Sequence, residues 1–154
     1  VLFAIFAMTI VAVLALGANQ YKSLVERDNN AYNKRIITSY VSAQIRGYDR
    51  ADAVKVGGFA SPDVDDEVNT LHLLETIDGI RYDLKIYYYQ GKVYELFAAE
   101  ESEMKPEDGV AIMDAKDLHF EKKGSLIRIT SKDSEGRENE TTVSLRSEES
   151  GVAL

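Results

Sequence analysis

The sequence predicts an α+β fold in which a long N-terminal helix packs on an antiparallel β-meander. Three observations lead to this prediction. Residues 1–18 are an uncharged apolar run, residues 20–48 repeat apolar side chains at helical spacing, and apolar and polar residues alternate from residue 53 onward. A period near 3.6 is typical of a helix and a period of two is typical of a strand, so the change near residue 50 separates a helical part from a sheet.

The apolar run is predicted to form the membrane-spanning first half of the helix. It contains no charged residue, and Thr9 is its one hydroxyl residue. Residues 1–18, if helical, extend about 27 Å, close to the hydrocarbon thickness of a bilayer. The predicted anchor and assembly residues on this half are Leu2, Phe3, Ile5, Phe6, Ile10, Val11, Val13, Leu14 and Leu16.

Two other interpretations of the run stay open. The small residues around Gly17 also suit a cleaved secretory signal, and a dense apolar run also suits a buried core helix. The residues that follow favour the continuous helix, because no proline interrupts residues 1–61 and the helical repeat continues to Gly47. We therefore expect residues 19–48 to form the amphipathic second half of the same helix. The face expected to pack on the sheet carries Tyr21, Leu24, Val25, Tyr32, Ile36 and Tyr40.

Residues 49–146 are predicted to form the β head domain, and residues 147–154 a polar tail. The clearest pair of strands is Thr70–Ile77 and Ile80–Tyr89, which Asp78-Gly79 joins. Such a dipeptide between alternating runs is the strongest short hairpin signal. Three further X-Gly turns end in Gly91, Gly124 and Gly136, so we expect a meander of six or seven strands.

Charge is distributed unevenly along the chain. The net charge is −8, residues 22–50 carry +3, and residues 51–154 therefore carry −11. An acidic head repels nucleic acid, so the sequence predicts no DNA or RNA partner for it. The basic residues after the apolar run suggest, by the positive-inside tendency, that the head lies in the cytoplasm. The chain has no cysteine, which excludes disulfides, thiolate metal sites and cysteine nucleophiles.

No catalytic motif stands out. His72 and His119 lie on different predicted strands, and neither belongs to a nucleophile motif, so both are interpreted as strand histidines. An acidic loop could supply oxygen ligands to calcium, but Val68 and Leu74 occupy positions where an EF-hand needs glycine and glutamate. We therefore predict a solvated loop and no cofactor. The acidic side chains of this loop are Asp63, Asp65, Asp66 and Glu67.

Tyrosines cluster on the central hairpin. Tyr82, Tyr87, Tyr88, Tyr89 and Tyr94 lie on two consecutive predicted strands. Cross-strand packing is one interpretation of this cluster, and an exposed surface for protein contacts is the other. On the second interpretation, Tyr87 and Tyr89 are the candidate partner contacts.

The order of these elements resembles a known family. An apolar half-helix that continues into an amphipathic half and then an antiparallel sheet is similar to type IV pilins and pseudopilins. The later segments, from Thr70–Ile77 through Leu118-His119-Phe120 to the closing 142–146 strand, resemble minor pseudopilins, minor pilins of Gram-positive competence machines and uncharacterised pilin-like domains of Firmicutes. The family carries a glutamate at its fifth mature position, where this chain has Ile5. A subunit that lacks this glutamate resembles a filament-tip or minor component.

The resemblance implies a non-enzymatic structural subunit of a type IV pilus, competence or type II secretion-like assembly. Its partners would be other pilin-like subunits, which contact the N-terminal helix, and membrane lipid. It would be a single-pass membrane protein with the head on the extracytoplasmic side, which is opposite to the orientation that the basic residues after the apolar run suggest. Two alternatives remain open at this point: a membrane-anchored extracytoplasmic binding domain that does not assemble, and a secreted domain released from a signal peptide.

Overall fold

The computed structural model describes the backbone of residues 2–149 and the side chains of residues 2–15 and 35–147. The chain divides into two compact units, Val1–Asn33 and Lys34–Leu154. In chain order the elements are α1 (Leu2–Gly47), β1 (Val54–Gly57), β2 (Thr70–Ile77), β3 (Ile80–Tyr89), β4 (Lys92–Ala99), a 3₁₀ turn (Pro106–Asp108), β5 (Val110–Lys123), β6 (Leu126–Asp133), β7 (Glu138–Ser144) and α2 (Arg146–Glu149).

The structure corrects the predicted fold class. A seven-stranded antiparallel sheet dominates the fold, and a second, short helix follows it. The unit that contains the sheet begins at Lys34, so it includes only the last turns of α1 and not the long helix that we expected to cover the sheet. Within the part of the chain that the structure describes, no helix is long and apolar enough to cross a membrane. The prediction was wrong because it placed all of residues 19–48 on the sheet, whereas the compact unit with the sheet includes the helix only from Lys34 onward.

The sheet is an uninterrupted meander. Its strands follow the order of the chain from β1 to β7, and each strand is antiparallel to the next. Asp78 and Gly79 both have positive φ, as do Gln90 and Gly91, so the turns around β3 have the backbone that two-residue hairpins prefer. The predicted hairpins around Ile80–Tyr89 therefore agree with the structure.

Strand β5 bends and brings the far half of the sheet back toward β2. Its pairing with β4 shifts at Tyr94, and its pairing with β6 shifts near Ala115. Such bulges bend a strand and increase its twist. The side chain of Asn69, just before β2, then bonds to the backbone of Phe120: its Nδ2 donates to the carbonyl at 3.0 Å, and its Oδ1 accepts from the N–H at 2.7 Å. One amide side chain thus links two distant strands.

The end of α1 packs on one face of the sheet. Its fully buried side chains are Ile37, Val41 and Ile45, which recur every four residues and therefore lie along one side of the helix. From the predicted face, Ile36 and Tyr40 are partly buried against the same core, and the Tyr40 hydroxyl donates to the Glu95 carboxylate. The remaining residues of that face lie outside the described side chains; they are Tyr21, Leu24, Val25 and Tyr32. The sheet contributes Leu71, Leu73, Leu84, Ile86, Phe120, Ile127 and Ile129, among others.

A buried aspartate closes the turn between β6 and β7. Asp133 Oδ1 accepts from the backbone N–H groups of Glu135 and Arg137, and its Oδ2 accepts from Arg137 Nε at 2.8 Å. Burial acts to raise the pKa of Asp133, but these hydrogen bonds outweigh it and hold the pKa below its ordinary value of 3.8. The charged form is therefore the form that the folded state prefers.

We expect part of the acid sensitivity of the protein to come from Asp133. A carboxylate with a depressed folded pKa stabilises the fold above its unfolded pKa, and this stability is lost as the pH falls through the folded value. Replacing Asp133 with asparagine should therefore lower stability at pH 7 and flatten its decline below about pH 4. Urea unfolding monitored at several pH values measures this slope. An unchanged slope would contradict the assignment, and Asp114→Asn is the exposed control.

Candidate functional site

The first described segment presents apolar side chains on all sides. Every residue from 2 to 15 is exposed, and the larger side chains range from Ile10, 44% exposed, to Leu2, 88% exposed. The one hydroxyl, Thr9 Oγ, donates to the Ile5 carbonyl at 2.9 Å and so presents no free donor. All of the predicted anchor residues except Leu16, whose side chain lies outside the described ones, belong to this exposed surface. A contiguous apolar surface of this kind marks a site of contact with protein or lipid.

The face of the sheet that points away from α1 is covered as well, by loops. Phe59, Tyr87 and Leu96 form a second, smaller core there. Tyr87 is fully buried, meets Phe59 edge to face at 4.9 Å, and donates from its hydroxyl to the Pro106 carbonyl at 2.6 Å. Burial raises the pKa of Tyr87 to about 12. Tyr87 therefore has no exposed surface for a partner.

Tyr89, the other candidate partner contact, lies at the margin of this second core. It is partly buried and meets Tyr94 edge to face at 5.7 Å. Within the tyrosine cluster, Tyr87 is thus buried packing, while the other four tyrosines are each partly exposed.

A buried ionic cluster lies beside the second core. His72 on β2 and Asp83 and Lys85 on β3 are all buried. His72 Nδ1 lies 2.7 Å from Asp83 Oδ2, and His72 Nε2 lies 2.7 Å from the Gly58 carbonyl oxygen. Both ring nitrogens of His72 therefore lie within hydrogen-bond distance of oxygen atoms, one of a carboxylate and one of a backbone carbonyl.

Lys85, which lies opposite His72 on the neighbouring strand, contacts the same loop. Its Nζ donates to the Phe59 carbonyl at 2.9 Å and lies 4.6 Å from the centroid of the Phe59 ring. His72 and Lys85 therefore each bond to a carbonyl of the loop that follows β1. Buried charges are tolerated when they are paired and hydrogen-bonded in this manner.

Asp66 fixes that loop from the other side. Its carboxylate accepts from the backbone N–H groups of Phe59, Ala60 and Val68. Burial acts to raise the pKa of Asp66, but these three hydrogen bonds outweigh it and lower the pKa. Glycine is needed at position 58, because a Cβ there would clash with the Val64 carbonyl and lie 2.8 Å from the Asp66 carboxylate. The loop is thus clamped on the sheet.

This arrangement is a structural clamp and does not have the geometry of a general base. A catalytic imidazole needs one nitrogen within reach of a nucleophile or substrate, and both nitrogens of His72 are occupied. His119 is exposed, with Nε2 3.7 Å from Glu121. Within the described residues, no group of three or more histidine and acidic side chains is arranged to hold a metal ion. Asp66, from the loop considered for calcium, uses its carboxylate to hold backbone.

The clamp was not predicted from the sequence. Asp83 and Lys85 alternate with apolar residues on β3, which is the pattern of a strand with one face in water. The one available signal was His72, which leucines flank on β2. It faces a strand that carries an acid, Asp83, and a base, Lys85, two residues apart. That signal does not reveal which loop covers the face.

A family model described as Domain of unknown function (DUF4860) matches residues 32–134. Neither the curated proteins nor the solved structures contain a match to the chain. The matched region begins within α1 and extends to the turn after β6, so it includes the clamp, the second core and most of the sheet. Because the family model matches more than half of the chain, this protein belongs to the DUF4860 family.

Proposed function

We propose that the protein is a non-enzymatic structural subunit, a minor pilin or pseudopilin-like component of a type IV pilus, competence or type II secretion-like assembly. The observation that carries this proposal is the exposed, uncharged segment of residues 2–15. Its partners are the same segment of neighbouring subunits and membrane lipid, and the head lies on the extracytoplasmic side. The resemblance in element order supports the choice of assembly.

The energetics support an assembly role for this segment. Apolar area buried against a neighbour contributes about 25 cal/mol per Å², so a helix with exposed side chains such as Phe3, Met8 and Val13 on different sides gains much from being surrounded. A core helix of the head would need only one apolar side. An apolar surface on all sides suits a position among several like helices.

The head is suited to the same role. Its two cores are closed by α1 on one face and by the clamped loop on the other, so it can fold around its own interior. Its net charge of −11 over residues 51–154 keeps heads soluble at the surface of an assembly.

Replacing Val11 with aspartate tests the proposal. Val11 is 65% exposed within the apolar segment, and a carboxylate there costs roughly 3 kcal/mol in an apolar surrounding. We expect the variant to lose most of its high-mass assemblies when native membranes are solubilised and analysed by native electrophoresis. Val11→Leu, which keeps the surface apolar, should assemble normally. Circular dichroism checks that the β head is intact in both variants.

Two results would overturn the proposal. An unchanged assembled fraction for Val11→Asp would show that the segment is not the assembly surface. A wild-type protein that is monomeric in its native membrane would favour the anchored binding domain.

A further inference from the structure

A polar groove runs between the end of α1 and the edge strand β7. On the helix side it is lined by Arg35, Ser39, Ser42 and Arg46, and on the strand side by residues 139–143. Its volume is about 460 Å³. Both walls belong to the compact unit that contains the sheet.

The two walls run side by side in the same direction. Near one end, Asn139 Nδ2 donates to Thr38 Oγ1 at 2.8 Å, and near the other end Arg46 borders Thr142. Arg35 and Arg46 are eleven residues apart, which is about 16 Å along a helix. The strand from Asn139 to Ser144 has nearly the same length, about 17 Å. The groove therefore has an arginine toward each end.

These two arginines are exposed. Among the side chains that the structure describes, no carboxylate lies within ion-pair distance of Arg35 or Arg46. Other arginines of the sheet are paired, such as Arg81 with Glu100 and Arg128 with Glu140. Both groove arginines belong to residues 22–50, which carry +3, and the Glu140 carboxylate on the groove wall is held by Arg128. Guanidinium groups bind carboxylates with two parallel hydrogen bonds, so the groove suits a ligand with an acid at each end.

The strand wall suits an extended peptide. Within the described part of the chain, β7 pairs with β6 alone, so its other edge keeps unpaired backbone groups. Successive side chains of a strand point to opposite faces, yet all of residues 139–143 line the groove. The groove therefore follows the open edge of β7. Such an edge binds an extended segment through main-chain hydrogen bonds.

We propose that this groove binds an extended acidic segment of a partner protein, which adds beside β7 and places one carboxylate on Arg35 and another on Arg46. At about 3.3 Å per residue, the end residues of a five-residue segment lie about 13 Å apart and share one face. The long side chains of glutamate and arginine span the remaining difference from the distance of about 16 Å between the arginines. The hydroxyl and amide groups between the arginines, such as Ser39 and Asn139, favour a polar side chain in the middle. This inference does not depend on assembly through the apolar segment.

Fluorescence anisotropy with the full chain in non-ionic detergent micelles tests the proposal. The probe is a capped, fluorescein-labelled pentapeptide with glutamate at both ends and threonine, valine and threonine between them. We expect it to bind the wild-type chain, and to bind at least about tenfold more weakly when both glutamates are replaced by glutamine. A version with a central proline should also bind weakly, because proline cannot donate to the strand edge.

Two double variants with the same change in net charge separate a specific site from general attraction. Arg35→Gln with Arg46→Gln should weaken binding of the glutamate-ended peptide about tenfold or more. Lys116→Gln with Lys123→Gln, on the exposed side of β5, should leave binding within about twofold, because these lysines lie outside the groove. All four positions are exposed, so both variants should fold.

Three results would overturn the proposal. The first is no binding of the glutamate-ended peptide at about 1 mM, the weak end of the useful affinity range. The second is an equal loss in both double variants, which would indicate general charge attraction. The third is equal binding of the central-proline peptide, which would exclude addition to the β7 edge.

Discussion

Replacing Asp83 with alanine is expected to lower the free energy of unfolding by about 3 kcal/mol. Asp83 is buried on β3 and holds His72 through a 2.7 Å contact. Its removal leaves one ring nitrogen of the buried His72 without its partner. Asp83 Oδ1 has no hydrogen-bond partner among the described side chains, so the loss is smaller than for a fully satisfied carboxylate.

Urea unfolding measures this effect, and Asp114→Ala is the matched control. Asp114 is also a strand aspartate with a cationic partner, Lys92 at 3.2 Å, but both side chains are at least half exposed. An exposed pair of this kind contributes at most about 1 kcal/mol. Equal losses in the two variants would contradict the role of Asp83 in the clamp. His72→Phe, which removes both contacts and keeps the volume, should also release the loop around Gly58.

Replacing Ile45 with alanine is expected to destabilise the fold by about 3 kcal/mol. Ile45 is fully buried and belongs to the core that α1 shares with the sheet. Truncation removes apolar contacts and leaves a cavity between layers that the rigid sheet cannot collapse to fill. Because Ile45 lies in the last turns of α1, the loss reports directly on the packing of this helix end.

Ile80→Ala is the control for the loss of the same atoms without a cavity. Ile80 is 51% exposed at the start of β3, so its truncation should cost less than about 1 kcal/mol. Chemical unfolding of both variants measures the difference between their free energies of unfolding. Equal m-values would show that both variants unfold in the same way, so that the two free energies can be compared. A loss at position 45 no larger than the loss at position 80 would show that the helix end does not pack on the sheet.

The strands could be predicted because two local signals agree. The turn at Asp78-Gly79 needs positive φ at both positions, and the alternation from Ile80 to Tyr88 then sets which side chains share a face. A register error of one residue would invert the whole face, so agreement between turn and alternation is informative. The turn and the alternation each depend only on residues that are close in sequence, and the structure has both.

The second covered face could not be predicted. Thr70 and His72 on β2 pair with Tyr87 and Lys85 on β3, and this mixture of polar and aromatic residues is typical of a face in water. The face is buried because the loop held by Asp66 covers it, and the sequence does not show where a loop returns. The ionic cluster, which distinguishes this sheet, was therefore missed.

The helix face that packs on the sheet was predicted incompletely. Ile36 and Tyr40 form one stripe with a spacing of four, while Ile37, Val41 and Ile45 form the adjacent stripe with the same spacing. Periodicity alone cannot show how far around the helix the contact extends; both stripes contact the core, and the second is the more deeply buried. Apolar composition alone also could not show that residues 2–15 are exposed.

Disulfide crosslinking through a single cysteine at position 6 tests most directly whether the apolar segment is an assembly surface. The chain has no cysteine of its own, so Phe6→Cys provides the only thiol. After mild oxidation in native membranes, we expect covalent dimers from Phe6→Cys, because the segments of neighbouring subunits pack together. Ile80→Cys, on the head hairpin and also exposed (51%, against 65% for Phe6), should stay monomeric. Monomers from both variants, or equal dimers from both, would contradict assembly through this segment.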